Sequence, residues 1–198
     1  MPNLIYLPNS LILTADFMAA KIPQMKIKGS DVIYSGYSKY LVLEVETGKG
    51  KIVERELLVR RNAVAAMVYN TKAQEYVLVS QWRAGTNTAV LEIVAGVIDD
   101  DEAPETAIQR EIEEETGFKT DKLTLIVSCY MSPGVSTELI HIYYCEVSGQ
   151  VHAGGGLEHE DEELTIHNLD FAALQQAQFI DAKTIIAADY IIKRHNTL

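Results

Sequence analysis

Glu111, Glu114 and Glu115 stand at i, i+3 and i+4 of a segment whose neighbours favour a helix. One helical turn brings the three carboxylates onto a single face, where like charges cost roughly 0.2–0.5 kcal/mol per pair. A cation between them reverses that cost. Carboxylate oxygens are hard donors that select Mg²⁺, Mn²⁺ or Ca²⁺, and no His or Cys stands at zinc-ligand spacing. The same three residues, taken alone, also describe a solvated acidic helix face. A second acidic run, Glu158 to Glu163 behind Gly154-Gly155-Gly156, is by itself a charged loop.

The elements that must hold these groups can be read from the local pattern. Pro104 fits a first helical turn, Asp101, Glu102 and Glu105 complement the N-terminal dipole, and Gly117 stops the helix, so the spacing predicts a helix from Pro104 to Glu115. Ala107, Ile108 and Ile112 form its apolar stripe. Before it, short extended pieces are expected at Leu11 to Thr14 and Val32 to Tyr34, then a hairpin of Tyr40 to Glu46 and Lys51 to Arg60 around Thr47-Gly48-Lys49-Gly50. Denser apolar strands follow at Ala63 to Val68 and Tyr76 to Gln81. After the helix come strands at Leu123 to Tyr130, Leu139 to Val147 and Leu164 to His167, then helices at about Asp170 to Gln178 and Ala182 to Arg194. The change of pattern near residue 60 divides the chain into an N-terminal β-unit, 1–60, and an α/β domain, 61–198.

Composition narrows the partners. With 198 residues, 47% hydrophobic and 23% charged, the chain can bury a substantial core. Residues 99–115 carry nine carboxylates against Arg110 alone, and residues 158–163 carry five against no base. The formal charge of −11 is therefore local, and such surfaces make nucleic acid and anionic membrane poor partners. Pro2, Pro8 and Asp16 do not read as a signal peptide, so a cytoplasmic location is expected. Cys129 and Cys145 read as buried structural thiols, and Cys129 with His141 as core packing rather than a dyad.

The order of residues around the helix carries a resemblance. Gly96, five residues, Glu102, seven residues, Arg110-Glu111-Ile112, one residue, Glu114-Glu115, one residue, then Gly117-Phe118 fills every position of the Nudix hydrolase box. Tyr130-Met131-Ser132-Pro133-Gly134, with Pro133 sixteen residues after Gly117, resembles the ADP-ribose pyrophosphatase branch, as do Gln81-Trp82-Arg83, Glu92 to Gly96 and Asp181 to Thr184. Tyr130 to Gly134 is shared with the sister group that hydrolyses GDP-mannose, and Thr137 to His141 and Ala153 to Gly156 are similar to that group as well. The resemblance implies a mixed-sheet α/β/α Nudix sandwich preceded by a small N-terminal antiparallel β-domain that makes a homodimer.

It also implies roles. Mg²⁺, with Mn²⁺ as the alternative, would be held by Glu111, Glu114, Glu115, Glu162 and the Ala95 carbonyl. Glu160 is expected as the general base and Glu162 as a further ligand, with the exchange of the two left open. Gly96, Glu102, Arg110 and Gly117 are expected to be structural. Arg55, Arg60, Arg83, Glu138 and Tyr37 would contact substrate, Glu138 from the partner subunit, while Trp82 is assigned to packing. The implied reaction is hydrolysis of the diphosphate of a nucleoside diphosphate sugar, with ADP-ribose (giving AMP and ribose 5-phosphate) placed ahead of GDP-mannose. A catalytically silent nucleotide-binding module is the competing class.

Overall fold

The computed structural model describes residues 24–156 and 163–196, so the strand expected at Leu11 to Thr14 lies outside the described residues. The chain divides into two compact units, Met1–Leu58 and Val59–Leu198. Three strands, β1 (Lys26–Ser35), β2 (Lys39–Glu46) and β3 (Ile52–Val59), form the first sheet in that order. Alternation along β2 puts Leu43 and Val45 on its buried face. The turn between β2 and β3 closes through Gly50, whose φ of 76° suits glycine and whose N–H donates to the Thr47 carbonyl at 2.8 Å. β1 is longer than the Val32 to Tyr34 piece expected. Its Lys, Gly, Ser and Asp residues carry little strand preference of their own, and antiparallel pairing to β2 from Lys26↔Glu46 to Ser35↔Lys39 supplies what propensity does not.

The second unit is a mixed sheet between helices. Strands β4 (Ala63–Asn70), β5 (Glu75–Arg83), β8 (Phe118–Tyr130), β9 (Leu139–Gln150) and β10 (Thr165–Leu169) run in the order β10-β5-β4-β9-β8, with β6 (Thr88–Glu92) on β5 and β7 (Val94–Val97) on β4. β4 and β9 are parallel, in register from Ala63↔Ile140 to Asn70↔Val147, and the other pairs are antiparallel. Helix α1 (Pro104–Thr116) covers one face, burying Ile108 and Ile112 against Val64, Ala66 and Val77. Helices α2 (Phe171–Gln176) and α3 (Ala182–His195) cover the other, where Leu174, Ala187 and Ile191 meet Ala65, Met67 and Leu78. β4 feeds both cores because its side chains alternate between faces and every one from Ala63 to Val68 is buried.

β6 and β7 were not expected as strands. They are only five and four residues long, too short for an alternating pattern to show, so they are recognised by their pairing to β5 and β4. β8 begins at Phe118, earlier than Leu123, because its register with β9 continues past bulges to Phe118↔Gln150. Among the described residues, no helix is long and apolar enough to cross a membrane.

Candidate active site

Four polar side chains are buried among the described residues: Glu92, Glu115, Thr116 and Thr184. Burial of such groups requires partners, and the four belong to two clusters that flank β7 in sequence.

The first cluster lies on α1. Ala103 is extended before it, Pro104 occupies the first turn, and Gly117 ends it with φ 74° while donating its N–H to the Glu113 carbonyl at 2.8 Å. A Cβ on Gly117 would run into the His152 carbonyl. The remaining terminal carbonyls are met from outside the helix. Gly156 N–H donates to Glu114 (3.3 Å), Gly155 N–H to Glu115 (2.8 Å), and Gln150 Nε2 to Thr116 (3.1 Å). Gly154, Gly155 and Gly156 have φ of 70°, 110° and 83°, and a Cβ on Gly154 would strike the Thr116 and Glu115 backbone. These three glycines thus clamp the end of the helix that carries the glutamates.

Arg110 gathers the acidic residues. Its Nε and Nη2 donate to Glu102 (both 3.1 Å), Nη2 also to the Val97 carbonyl (3.2 Å), and Nη1 to both Glu111 Oε1 (2.7 Å) and Glu114 Oε2 (3.0 Å). The hydrogen bonds from Arg110 hold Glu102 below the ordinary carboxylate range, and those to Glu102 raise Arg110 in turn. Gly96, on β7 opposite Val64, leaves the space that the Glu111 carboxyl fills; a Cβ there would overlap that carboxyl. Ala95 pairs with Ala65 on the same strand. Glu115 is 2% exposed.

Among the described residues, no three His, Cys, Asp or Glu side chains stand close enough together to enclose an ion. The donor chemistry still suits a hard divalent cation. Glu111 and Glu114 already converge on one cationic atom, Arg110 Nη1, and the Gly96 cradle brings the β7 backbone against Glu111. Glu160 and Glu162, expected as base and ligand, lie outside the described residues.

The second cluster is centred on Glu92, which is 3% exposed. Its carboxylate receives both Nε (2.8 Å) and Nη2 (2.7 Å) of Arg83 and Nζ of Lys183 (2.5 Å). Burial works to raise its pKa, yet the hydrogen bonds and charges of Arg83 and Lys183 bring it below the ordinary value. Lys183 also pairs with Asp181 at 3.0 Å. Asp181 caps α3 by accepting from Thr184 N (3.0 Å) and Thr184 Oγ1 (2.6 Å), and Thr184 Oγ1 accepts from the buried Ile93 N–H at 2.9 Å.

The other expected contacts are dispersed. Arg83, expected as a substrate cation, has two of its three nitrogens engaged by Glu92. Arg60 Nε pairs with Glu138 Oε1 at 3.1 Å within the one chain, braced by Thr137 Oγ1, which accepts from Arg60 N and donates to Arg60 O. Arg55 donates to the neighbouring Glu54 carbonyl, and Tyr37 is 79% exposed. Trp82, assigned to packing, is 60% exposed. Cys145 is buried, and burial pushes its thiol up to about 11; Cys129 is only half-buried. His141 Nδ1 lies 2.7 Å from Ser128 Oγ, not from Cys129. Reading the sequence placed Glu92 and Lys183 in segments of family resemblance without a role, and missed Gln150 as a supporting residue. For Glu92, its place between Leu91 and Ile93 was the available signal, since a charge in an apolar run needs a buried partner.

Comparison with known proteins adds to this geometry. The NUDIX domain family matches residues 59–188. GDP-mannose pyrophosphatase from Escherichia coli strain K12 is 34% identical over 154 residues, covering 72% of this chain and 79% of that protein, and the Shigella flexneri GDP-mannose pyrophosphatase is similar to the same extent. A crystal structure of an ADP compounds hydrolase superposes with a TM-score of 0.74 at 19% identity, covering 89% of this chain and 97% of that one, which is a likeness of fold.

Proposed function

The chain belongs to the Nudix family and is a hydrolase of diphosphates, and from that premise we propose that it cleaves the diphosphate of a nucleoside diphosphate sugar, with GDP-mannose the favoured substrate. The observation that carries the reaction is the convergence of Glu111 and Glu114 on one cationic atom, beside Gly96 and next to the buried Glu115. Water adds to one phosphorus, the P–O bond to the bridging oxygen breaks, and the bridging oxygen leaves with the other phosphate. The products are a nucleoside monophosphate and a sugar phosphate.

A divalent cation held by Glu111, Glu114, Glu115 and the Ala95 carbonyl would neutralise the diphosphate and activate water for attack on phosphorus. The chain's own residues prepare that step. Arg110 holds two of the carboxylates at one point, Gly96 lets β7 approach them, and the glycine clamp fixes the helix end. Arg83 supplies positive charge for the phosphates. Glu160 takes the proton from the attacking water, with Glu162 as the exchangeable candidate. Arg55, Arg60, Glu138 and Tyr37 are proposed to recognise the base and sugar.

Identity to GDP-mannose pyrophosphatases, together with Thr137 to His141 and Ala153 to Gly156, supports the mannose sugar over the ADP-ribose placed first from sequence. The ADP-ribose reading keeps the support of Gln81-Trp82-Arg83, Glu92 to Gly96 and Asp181 to Thr184, while the Pro133 segment resembles both groups. A homodimer through the first sheet is proposed as well, because β1 exposes Ile27, Val32, Ile33 and Tyr34; sedimentation equilibrium checks it. The substrate experiment is chromatography of products after incubation with Mg²⁺ and GDP-mannose or ADP-ribose. GMP and mannose 1-phosphate released faster support the proposal, AMP released faster moves it to ADP-ribose, and no product from either overturns the diphosphate-sugar reading.

A further inference from the structure

Strand β6 and the start of α3 are 91 residues apart in sequence, yet they meet in a buried ion cluster. Side-chain exposure is 4% at Glu92, 11% at Lys183 and 19% at Asp181, against 40% at Arg83. A buried ion pair is a weak stabiliser, because desolvation offsets most of the attraction and apolar residues of similar volume serve as well or better. What charged hydrogen bonds supply instead is fixed geometry, above all when a guanidinium is held by two parallel bonds.

The order of contacts shows what is being fixed. Asp181 and Thr184 bolt the first turn of α3 to the backbone of Ile93, the residue after Glu92. That anchors Lys183, whose Nζ reaches Glu92 Oε2. The same Oε2 receives Arg83 Nη2, while Oε1 receives Arg83 Nε. Both carboxylate oxygens are thereby oriented, and the guanidinium is fixed along one edge. Arg83 Nη1 is the nitrogen that Glu92 leaves over, and the Arg83 side chain is the most exposed of the four. The charge of Glu115 adds to that of Glu92 in favouring the charged guanidinium, so Arg83 lies within electrostatic reach of a box glutamate.

We infer that Lys183 and Glu92 are positioning residues for Arg83: Lys183 fixes the Glu92 carboxylate, and Glu92 holds the guanidinium so that Nη1 is presented to the substrate diphosphate. The inference rests on the proposed reading of Arg83 as a phosphate cation. Its distinctive consequence is that Lys183 acts only through Arg83.

A double-mutant cycle tests this with the full chain, Mg²⁺ and GDP-mannose and ADP-ribose as the two probes. Lys183→Met should lower kcat/KM about tenfold, chiefly by raising KM, since a misplaced contact group costs one to two orders of magnitude. Arg83→Ala should cost at least as much. The double variant should be no worse than Arg83→Ala alone, and Lys183→Arg, which keeps the charge, should restore most of the loss. Losses that multiply in the double variant overturn the inference, because an independent packing role has that signature. An unchanged KM in Lys183→Met with active wild type overturns it too. If Lys183→Met does not fold, Lys183→Gln takes its place in the cycle. A wild-type chain that cleaves neither probe removes the reading of the function, and this inference falls with it.

Discussion

Around Arg110 three carboxylates share one guanidinium, whereas around Glu92 two cations share one buried carboxylate, with Asp181 closing the balance. The two clusters use the same chemistry and stand in opposite electrical states. The Glu92 cluster is neutral in sum, with its carboxylate buried and Arg83 its most exposed member. The Arg110 cluster carries more negative charge than its one cation can neutralise. Surplus charge that folding leaves uncompensated is available for binding, and this is where a divalent cation would enter. One cluster sets geometry; the other holds the unmet demand.

The comparison can be broken or sharpened by removing one carboxylate from each side. Glu115→Gln should lower turnover on the order of a thousandfold while the thermal midpoint shifts little, because it removes charge needed at the reaction and not for folding. Near-normal kcat in this variant would show that the surplus charge is not used. Glu92→Gln should do the reverse first, destabilising the fold by about 3–5 kcal/mol in urea titrations, since it strands two cations in the interior. An unchanged urea midpoint would mean the cluster is not electrically coupled. Gly96→Ala should displace the Glu111 carboxyl and lower kcat about a hundredfold; a crystal structure of the variant with Glu111 unmoved would contradict the cradle.

The smallest effect expected is on pH dependence. Glu92 and Glu102 are both held below the ordinary glutamate value of 4.5. A depressed folded pKa adds stability that is present above the unfolded value and is lost as pH falls through the folded one. Urea midpoints should therefore decline below about pH 4.5, and Glu102→Gln should make that decline shallower. A midpoint that rises on acidification would contradict both assignments.

Helix α1 was legible in the sequence because its start, stop and stripe are local: Pro104, Gly117 and the Ala107, Ile108, Ile112 spacing need no distant partner. Strands β4 and β5 were legible for a similar reason, being dense in apolar residues. β6 and β7 were hidden, since a short run such as Val94-Ala95-Gly96-Val97 becomes a strand only when β4 is beside it. The box residues could be named from spacing, and so could Arg110 as their neighbour. The engagement of Glu92 by Lys183 could not, because Lys183 enters that cluster from 91 residues along the chain. The backbone of Gly154 to Gly156 was not legible for a different reason. Glycine permits flexibility and left-handed backbone alike, and only the carbonyls of Glu114 and Glu115 decide between them.

The parallel register of β4 with β9, Ala63↔Ile140 through Asn70↔Val147, also governs when the molecule can become itself. Gly96, Arg110 and all four box glutamates lie inside the long loop that this pairing closes, and closing such a loop must precede the contacts that reward it. During synthesis, a ribosome that has released α1 but not β9 therefore holds a helix whose apolar stripe has an incomplete floor. The nascent chain should pass through a window of vulnerability to aggregation that ends only when β9 has emerged, and synonymous changes that slow translation across residues 118–138 should lengthen it.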